Sequence, residues 1–375
     1  MTYLDHGATS FPKPKSVLNA MIYAMETCGN PGRGGYETAM RAARTILRCR
    51  ERAGELFDCE PEQVVCTGSC THGLNMAIGT LVKPGSHVVI SGFEHNAVVR
   101  PLHGIGADIR IAGRKLFRPE DTLQQFEKAL RSGVDAAVFT HVSNVFGYIL
   151  PVEEMADLCR KYHVPFAVDC AQSAGILPVS LRDWGADFIA MPGHKGLLGP
   201  MGTGLLLCNR VPKPLMSGGT GSQSQLRQMP DYLPDAGEAG TANVAGIAGL
   251  SEGIRQVQKR GLQEIFLREQ REMRRCAKRL EKFGYTVYTG ENQCGTVSFV
   301  PKCGCEELAE FLGKQRVCVR AGLHCAPLAH ESAGTLSTGT VRISFGHDAD
   351  SRQTGALCTA LENFRNSDGK TAGQM

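Results

Sequence analysis

From Val64 onward, short apolar runs recur along the chain, each followed by small, polar or glycine residues. Val64–Cys66, Val88–Ser91, Asp135–Phe139, Pro165–Val168, Phe188–Met191 and Gly202–Leu207 read as buried strands, and Leu74–Leu81 as a helix between two of them. Upstream, Tyr3–Pro14 is an extended entry whose prolines exclude helix. Ser16–Cys28 and Thr38–Phe57 have helical spacing, separated by a glycine-rich break over 29–35. Ser217–Glu238, rich in Gly, Ser, Gln and Pro, reads as a long irregular excursion of the kind that usually serves function. Beyond it a helix ends near Arg260 and a charged helix spans Leu262–Phe283. Strands follow at Thr286–Tyr288, Thr296–Val300, Val317–Val319 and Thr340–Phe345, with helices at Glu306–Leu312 and Ser351–Phe364. Strands alternating with helices of this length predict an α/β fold with an open, mainly parallel sheet. The expected division is an entry segment 1–12 packing with the smaller domain, a large domain 13–260, a smaller α/β C-terminal domain 261–365 and a flexible tail 366–375.

With 375 residues, 42% hydrophobic and 21% charged, the composition is that of a globular enzyme with room for one large core and a smaller one. A formal net charge of +4 is too weak to argue for nucleic acid or a membrane surface. No apolar run approaches a membrane span, and Met1–Gly7 lacks the apolar segment of a signal peptide, so a cytoplasmic location is expected. The cysteines number 15; an odd count in a long chain without a secretory signal argues against a disulfide framework. Cys49, Cys66, Cys159, Cys208, Cys276 and Cys358 sit in core-like patterns, and the close, isolated pair Cys303 and Cys305 makes a poor four-ligand zinc site, so no metal is expected.

In open α/β sheets, ligands bind beyond the carboxyl ends of the strands. Ser69–Thr71, His95, Asn144, Asp169 and Lys195 all follow apolar runs in this way. Lys195 lies among Gly193, Gly196 and Gly199, which break any helix that would make it a solvated helix-face charge. An aspartate and a lysine at two strand ends suit pyridoxal phosphate, which needs a Schiff-base lysine and an acid partner for its ring nitrogen. A surface loop is the commoner fate of a lysine, and only these companions tip the balance. The small and hydroxyl residues at 67–73 offer backbone N–H groups at a helix start, as a phosphate site requires, although any N-cap uses the same residues.

Asp169-x-x-Gln172, Gly193-His-Lys195, Arg320-Ala-Gly-Leu-His-Cys325-Ala-Pro-Leu and Gly339-Thr-Val-Arg342 carry a resemblance that runs from Tyr3 to Arg342. The chain resembles the class V aminotransferases, in the cysteine desulfurase and selenocysteine lyase group with a short Arg-x-Gly-x-His-Cys loop. The resemblance implies the type I fold of pyridoxal-phosphate-dependent transferases, aspartate aminotransferase-like, with pyridoxal 5'-phosphate as cofactor. It makes Lys195 the Schiff-base lysine and proton shuttle, Asp169 the partner of the pyridinium nitrogen, and Gln172 the contact of the ring hydroxyl. His95 would stack on the ring and exchange a proton with the substrate sulfur. Ser69, Cys70, Thr71 and His194 would hold the phosphate, together with Thr241 from the neighbouring subunit of a homodimer. Asn144 and Arg342 would hold the substrate carboxylate, with Arg320 nearby. Cys325 would take sulfur from L-cysteine as a persulfide, leaving alanine for return and sulfur for an acceptor protein, with His324 and Arg320 lowering its pKa.

Three positions depart from the family pattern: Pro192 where relatives carry Ser or Thr, His72 in place of a frequent Glu, and Phe146 at a position usually small. None touches the lysine, aspartate or cysteine, so the reaction class stands. L-Selenocysteine is the rival substrate, because selenium differs from sulfur in size and pKa rather than in contacts. Another class V aminotransferase or lyase, with Cys325 incidental, is the second rival reading. A non-catalytic sulfur carrier has no need of Lys195, Asp169, His95, Arg342 and Cys325 together.

Overall fold

The computed structural model describes residues 1–32 and 34–371, so residue 33 of the glycine-rich break and residues 372–375 of the expected tail lie outside the described residues. The chain opens with β1 (Thr2–Tyr3), α1 (Lys15–Thr27) and α2 (Glu37–Phe57). Strand and helix then alternate: β2 (Val64–Thr67), α3 (Cys70–Leu81), β3 (His87–Ser91), α4 (Asn96–Ile105), β4 (Asp108–Ala112), α5 (Pro119–Arg131) and β5 (Ala136–Thr140). The rhythm continues with α6 (Val152–Lys161), β6 (Phe166–Asp169), α7 (Leu181–Trp184), β7 (Phe188–Pro192) and β8 (Gly204–Cys208). The stretch from 209 to 243 is irregular apart from a 3-10 turn at Asp235–Gly237.

These strands form one sheet of seven, in the order β2-β8-β7-β6-β5-β3-β4. The five from β7 to β4 are parallel, and β8 runs antiparallel to both its neighbours. Every residue of β5, β6, β7 and β8 is buried, which is why these segments read as continuous apolar runs. Within β5, Ala137 and Phe139 join one core and Ala136 and Val138 join another, so helices cover both faces.

The second layer begins after α8 (Val244–Arg260) and α9 (Leu262–Lys282). It contains β9 (Thr286–Tyr288), β10 (Thr296–Val300), α10 (Cys305–Lys314), β11 (Val317–Cys318), β12 (Arg320–Gly322), α11 (Pro327–Ala333), β13 (Thr340–Ser344) and α12 (Ser351–Thr371). An antiparallel sheet of four, β12-β13-β10-β9, has its own core of Met273, Phe299, Leu308, Ile343 and Leu361. The N-terminus joins this layer: β1 pairs in parallel with β11, and Asp5 bridges to Ser344. The last helix runs on to Thr371, beyond the sequence expectation of Phe364. Cys49, Cys159, Cys208 and Cys276 are buried, whereas Cys66, packed at the margin of the main core, and Cys358 on α12 are only half-buried. Among the described residues, no helix is long and apolar enough to cross a membrane.

Candidate active site

The register of the large sheet puts Thr140 beside Asp169 and Asp169 beside Ala190, two residues before β7 ends at Pro192. The strand ends therefore open on one cavity of ≈ 100 Å³. Nine of the residues expected from sequence line it: Ser69, Cys70, Thr71, His95, Asn144, Asp169, Gln172, His194 and Lys195.

Two glycines set the position of Lys195 relative to Asp169. Gly175 has φ +85°, and a Cβ there would lie 2.5 Å from the Gly196 carbonyl oxygen. A Cβ on Gly196 would in turn meet the carbonyl oxygen of Ala174 at 2.3 Å. The turn after β6 and the lysine turn thus touch backbone to backbone, an approach no side chain permits. The N-terminal segment clamps the same turn from the other side. The His194 carbonyl accepts from Ser10 N–H at 3.0 Å, Thr9 Oγ1 at 3.0 Å and Lys13 Nζ at 2.6 Å. Burial lowers the Lys13 ammonium to about 8.

Lys195 is half-buried, and among the described residues its ammonium has no hydrogen-bond or ion-pair partner. Desolvation lowers its pKa, the Arg342 guanidinium adds to that, and Asp169 and Cys70 oppose it. Asp169 is 3% exposed; its Oδ1 accepts from Ala171 N–H at 2.8 Å and from the Cys70 thiol at 3.4 Å. That leaves Oδ2 for a ligand. Cys70 therefore brings its side chain, and not only its backbone, to the site.

His95 is the N-cap of α4, its Nδ1 accepting from Ala97 N–H at 3.0 Å. Burial lowers its pKa, and in the neutral ring the hydrogen then sits on Nε2. Helix α3 begins four residues earlier than its apolar run, with Ser69 as N-cap accepting from His72 N–H at 3.1 Å. Gly73 N–H donates to the Ser69 carbonyl, and among the described residues the Cys70 and Thr71 amides have no partner. Pro192 lines the cavity with neither hydroxyl nor N–H to offer, and burial pushes neighbouring His194 down to about 4, with Nδ1 unpartnered.

Of the remaining expected residues, Arg342 and the Cys325 loop approach the site from the second layer. Arg342, on β13, is 2% exposed and donates from Nη1 to the Asn144 carbonyl at 2.9 Å. Asn144 donates from Nδ2 to the His324 carbonyl at 2.7 Å, and Asn96 N–H donates to the Cys325 carbonyl at 2.8 Å. The two bonds lay the cysteine loop across the carboxyl ends of β3 and β5. His324 and Cys325 both adopt left-handed backbone, with φ of 50° and 56°, which turns the loop sharply and leaves Cys325 exposed.

The expectation that His324 lends positive charge to Cys325 does not hold. Its Nε2 is bonded to Thr340, and burial together with Arg342 and His330 drops it to about 3, so it is neutral. Arg320 lines no cavity described here; its guanidinium is bonded to Asp5. Thr241 is exposed in the turn before α8 and does not reach the cavity of its own chain. Phe146 is fully buried against Tyr288 and His330, packing the two layers together. Residues not singled out from sequence also brace the site from behind its lining: Lys13, Glu94 and above all Asp5, which follows β1 and binds both Arg320 and Arg342.

Comparison with known proteins agrees with this geometry. The model of the family "Aminotransferase class-V" matches residues 2–357. A "probable cysteine desulfurase" from Methanothermobacter thermautotrophicus is 32% identical, with 96% of this chain and 94% of the relative covered. Another from Pyrococcus abyssi is 31% identical, covering 92% and 89% respectively. Among solved structures, the apo cysteine desulfurase from Thermococcus onnurineus NA1 superposes with a TM-score of 0.88 at 28% identity, covering 96% of this chain and 94% of that one.

Proposed function

The chain belongs to the class V aminotransferase family, and from that premise we infer that it is a pyridoxal 5'-phosphate-dependent cysteine desulfurase acting on L-cysteine. The observation that carries this reading is the seating of the Cys325 loop: its backbone is bonded to Asn96 and Asn144, which lays it across the carboxyl ends of β3 and β5, beside the sheet edge where Asp169 and Lys195 line the cavity, with the thiol exposed.

The cavity suits pyridoxal phosphate. The uncommitted Cys70 and Thr71 amides at the start of a 12-residue helix and the unpartnered Nδ1 of His194 suit a phosphate. Asp169 Oδ2 would hold a protonated ring nitrogen, and Gln172, whose Nε2 is bonded to the Gly7 carbonyl at 3.0 Å, keeps a second Nε2 hydrogen that would meet the ring hydroxyl. When bound, the cofactor supplies an electron sink for the pair released at the substrate α-carbon.

The chain's own groups then divide the work. Lys195, its pKa lowered, takes the α-proton on Nζ and returns it. Arg342 Nε, buried and unpartnered, would orient the substrate carboxylate, with Asn144 beside it keeping one Nδ2 hydrogen beyond the bond to the His324 carbonyl. His95 exchanges a proton with the substrate sulfur through Nε2. Cys325 Sγ attacks that sulfur; the S–S bond forms as the carbon–sulfur bond breaks, and the carbon gains a proton. L-Cysteine plus the Cys325 thiol gives L-alanine plus a Cys325 persulfide, and the balance closes without an external oxidant. An acceptor protein or thiol then removes the sulfur. The exposed Thr241 turn is the element lent to a second copy of the chain in a homodimer.

The test is anaerobic incubation with L-cysteine and, separately, L-selenocysteine, measuring alanine. Wild-type protein is expected to release alanine from L-cysteine and to gain one sulfur on Cys325 by mass spectrometry. Cys325→Ala should lose that activity by at least a hundredfold, far more than the roughly 1 kcal/mol of one hydrogen bond. Wild-type rates in Cys325→Ala would defeat the persulfide route.

A further inference from the structure

Asp5 follows β1 and is 7% exposed. Its carboxylate accepts from Arg320 Nε at 3.1 Å and Nη2 at 2.8 Å, and from Arg342 Nη2 at 2.8 Å. The two arginines face each other across the β12–β13 pair, where Arg320 is registered opposite Arg342. Gly7 N–H donates to Ser344 Oγ at 2.7 Å, and Asp5 bridges to Ser344, so the backbone carrying the carboxylate is fixed on the same strand as Arg342. With Nη2 on Asp5 and Nη1 on the Asn144 carbonyl, Nε is the one guanidinium nitrogen of Arg342 that has no partner among the described residues.

Two cations and one anion leave this corner with a single positive charge. His324 beside it is neutral and adds none. We propose that Asp5 is a specificity-determining residue: it spends one of the two guanidinium charges inside the protein, so that the corner accepts the one carboxylate of a neutral-side-chain amino acid and rejects amino acids with a second acidic group. The physical basis is that a like charge placed beside a desolvated carboxylate is costly, whereas a cation left unpaired there attracts one. Arg320 supplies the direction, since it starts the strand that leads into the Cys325 loop, the side on which a substrate side chain must lie.

The inference rests on the site reading above, and its test separates the two. Binding of L-alanine and of L-aspartate to the purified holoenzyme is measured by equilibrium titration for wild type, Asp5→Asn, Asp5→Glu and Arg320→Met. Wild type is expected to bind L-alanine and to disfavour L-aspartate. In Asp5→Asn the affinity for L-aspartate relative to L-alanine should rise at least tenfold, while Asp5→Glu keeps the wild-type ratio. Arg320→Met, at a half-exposed position tolerant of change, should move the ratio the other way and serves even where Asp5→Asn does not fold. A purely structural role for Asp5 predicts that both ligands weaken in parallel; that result, or an unchanged ratio, overturns the proposal alone. Wild type that binds no amino acid overturns the site reading and this inference with it.

Discussion

Glu94 stands fully buried in the turn between β3 and α4, its Oε1 accepting from Ser91 Oγ at 2.5 Å and from Thr140 N–H at 2.9 Å, its Oε2 unpartnered. Burial raises its pKa from 4.5 to about 8, the hydrogen bonds opposing and Asp169 assisting. The folded chain thus holds a neutral carboxyl directly before His95, while the unfolded chain ionises it near 4.5. Between those values the folded state binds more protons than the unfolded one, so this group's stabilisation is complete below 4.5 and is lost as pH rises through about 8. The loss runs at about 1.4 kcal/mol per pH unit across that window. Glu94→Gln mimics the neutral form without titrating. Its melting temperature should therefore gain on wild type steadily from pH 5 to pH 8, and parallel melting curves across that range would refute the assignment. The same logic explains why His95, His194 and His324, all lowered by burial, act as neutral rings in the site.

At the scale of elements, the lysine turn is held between the 170–175 turn and the N-terminal segment. Gly196→Ala would drive a methyl into the Ala174 carbonyl, so the turn must shift and Lys195 with it. We expect that variant to remain folded by circular dichroism but to fix far less cofactor on borohydride treatment than wild type, with the trapped residue in wild type being Lys195. Equal trapping in both would show that the backbone contact does not position the lysine. The central strands were legible because burial on both faces turns each into an unbroken apolar run. Edge strand β4 was not: Asp108 and Arg110 interrupt it, since only Ala112 is buried. Strand β12, Arg320-Ala-Gly322, lacks the β-branched and aromatic residues that made equally short β9 visible, and seven-residue α11 is too short for a helical period to show. The cavity residues were legible because the topology delivers every parallel strand end to one edge. Asp5 was not, because its two partners lie 315 and 337 residues away in sequence and are brought to it by β1 pairing with β11 and by the bridge from Asp5 to Ser344.

Over the whole molecule, the largest unexplained feature is apolar surface. Leu18, Ile22, Tyr23 and Met25 on α1 are 49%, 54%, 58% and 74% exposed, and Tyr36, Met40 and Leu47 at α2 add to them. Both helices pack on α8, whose leading turn carries Thr241. The homodimer we propose would cover these side chains and would bring a second Thr241 toward the phosphate end of the cavity. The homodimer we propose makes a sharp demand on mixed chains. Lys195→Ala chains lack the lysine but lend an intact Thr241; Thr241→Ala chains keep the lysine but lend nothing. In the hybrid, one site is doubly damaged and the other is whole. Each parent should therefore be weak or inactive alone, and after random reassociation the mixture should recover about a quarter of the wild-type rate per chain. Recovery requires exchange of subunits, so it should track the hybrid population measured by native mass spectrometry. Sites built within one chain predict the plain average of the two parents at every mixing ratio, and a monomer active at all concentrations would end the proposal.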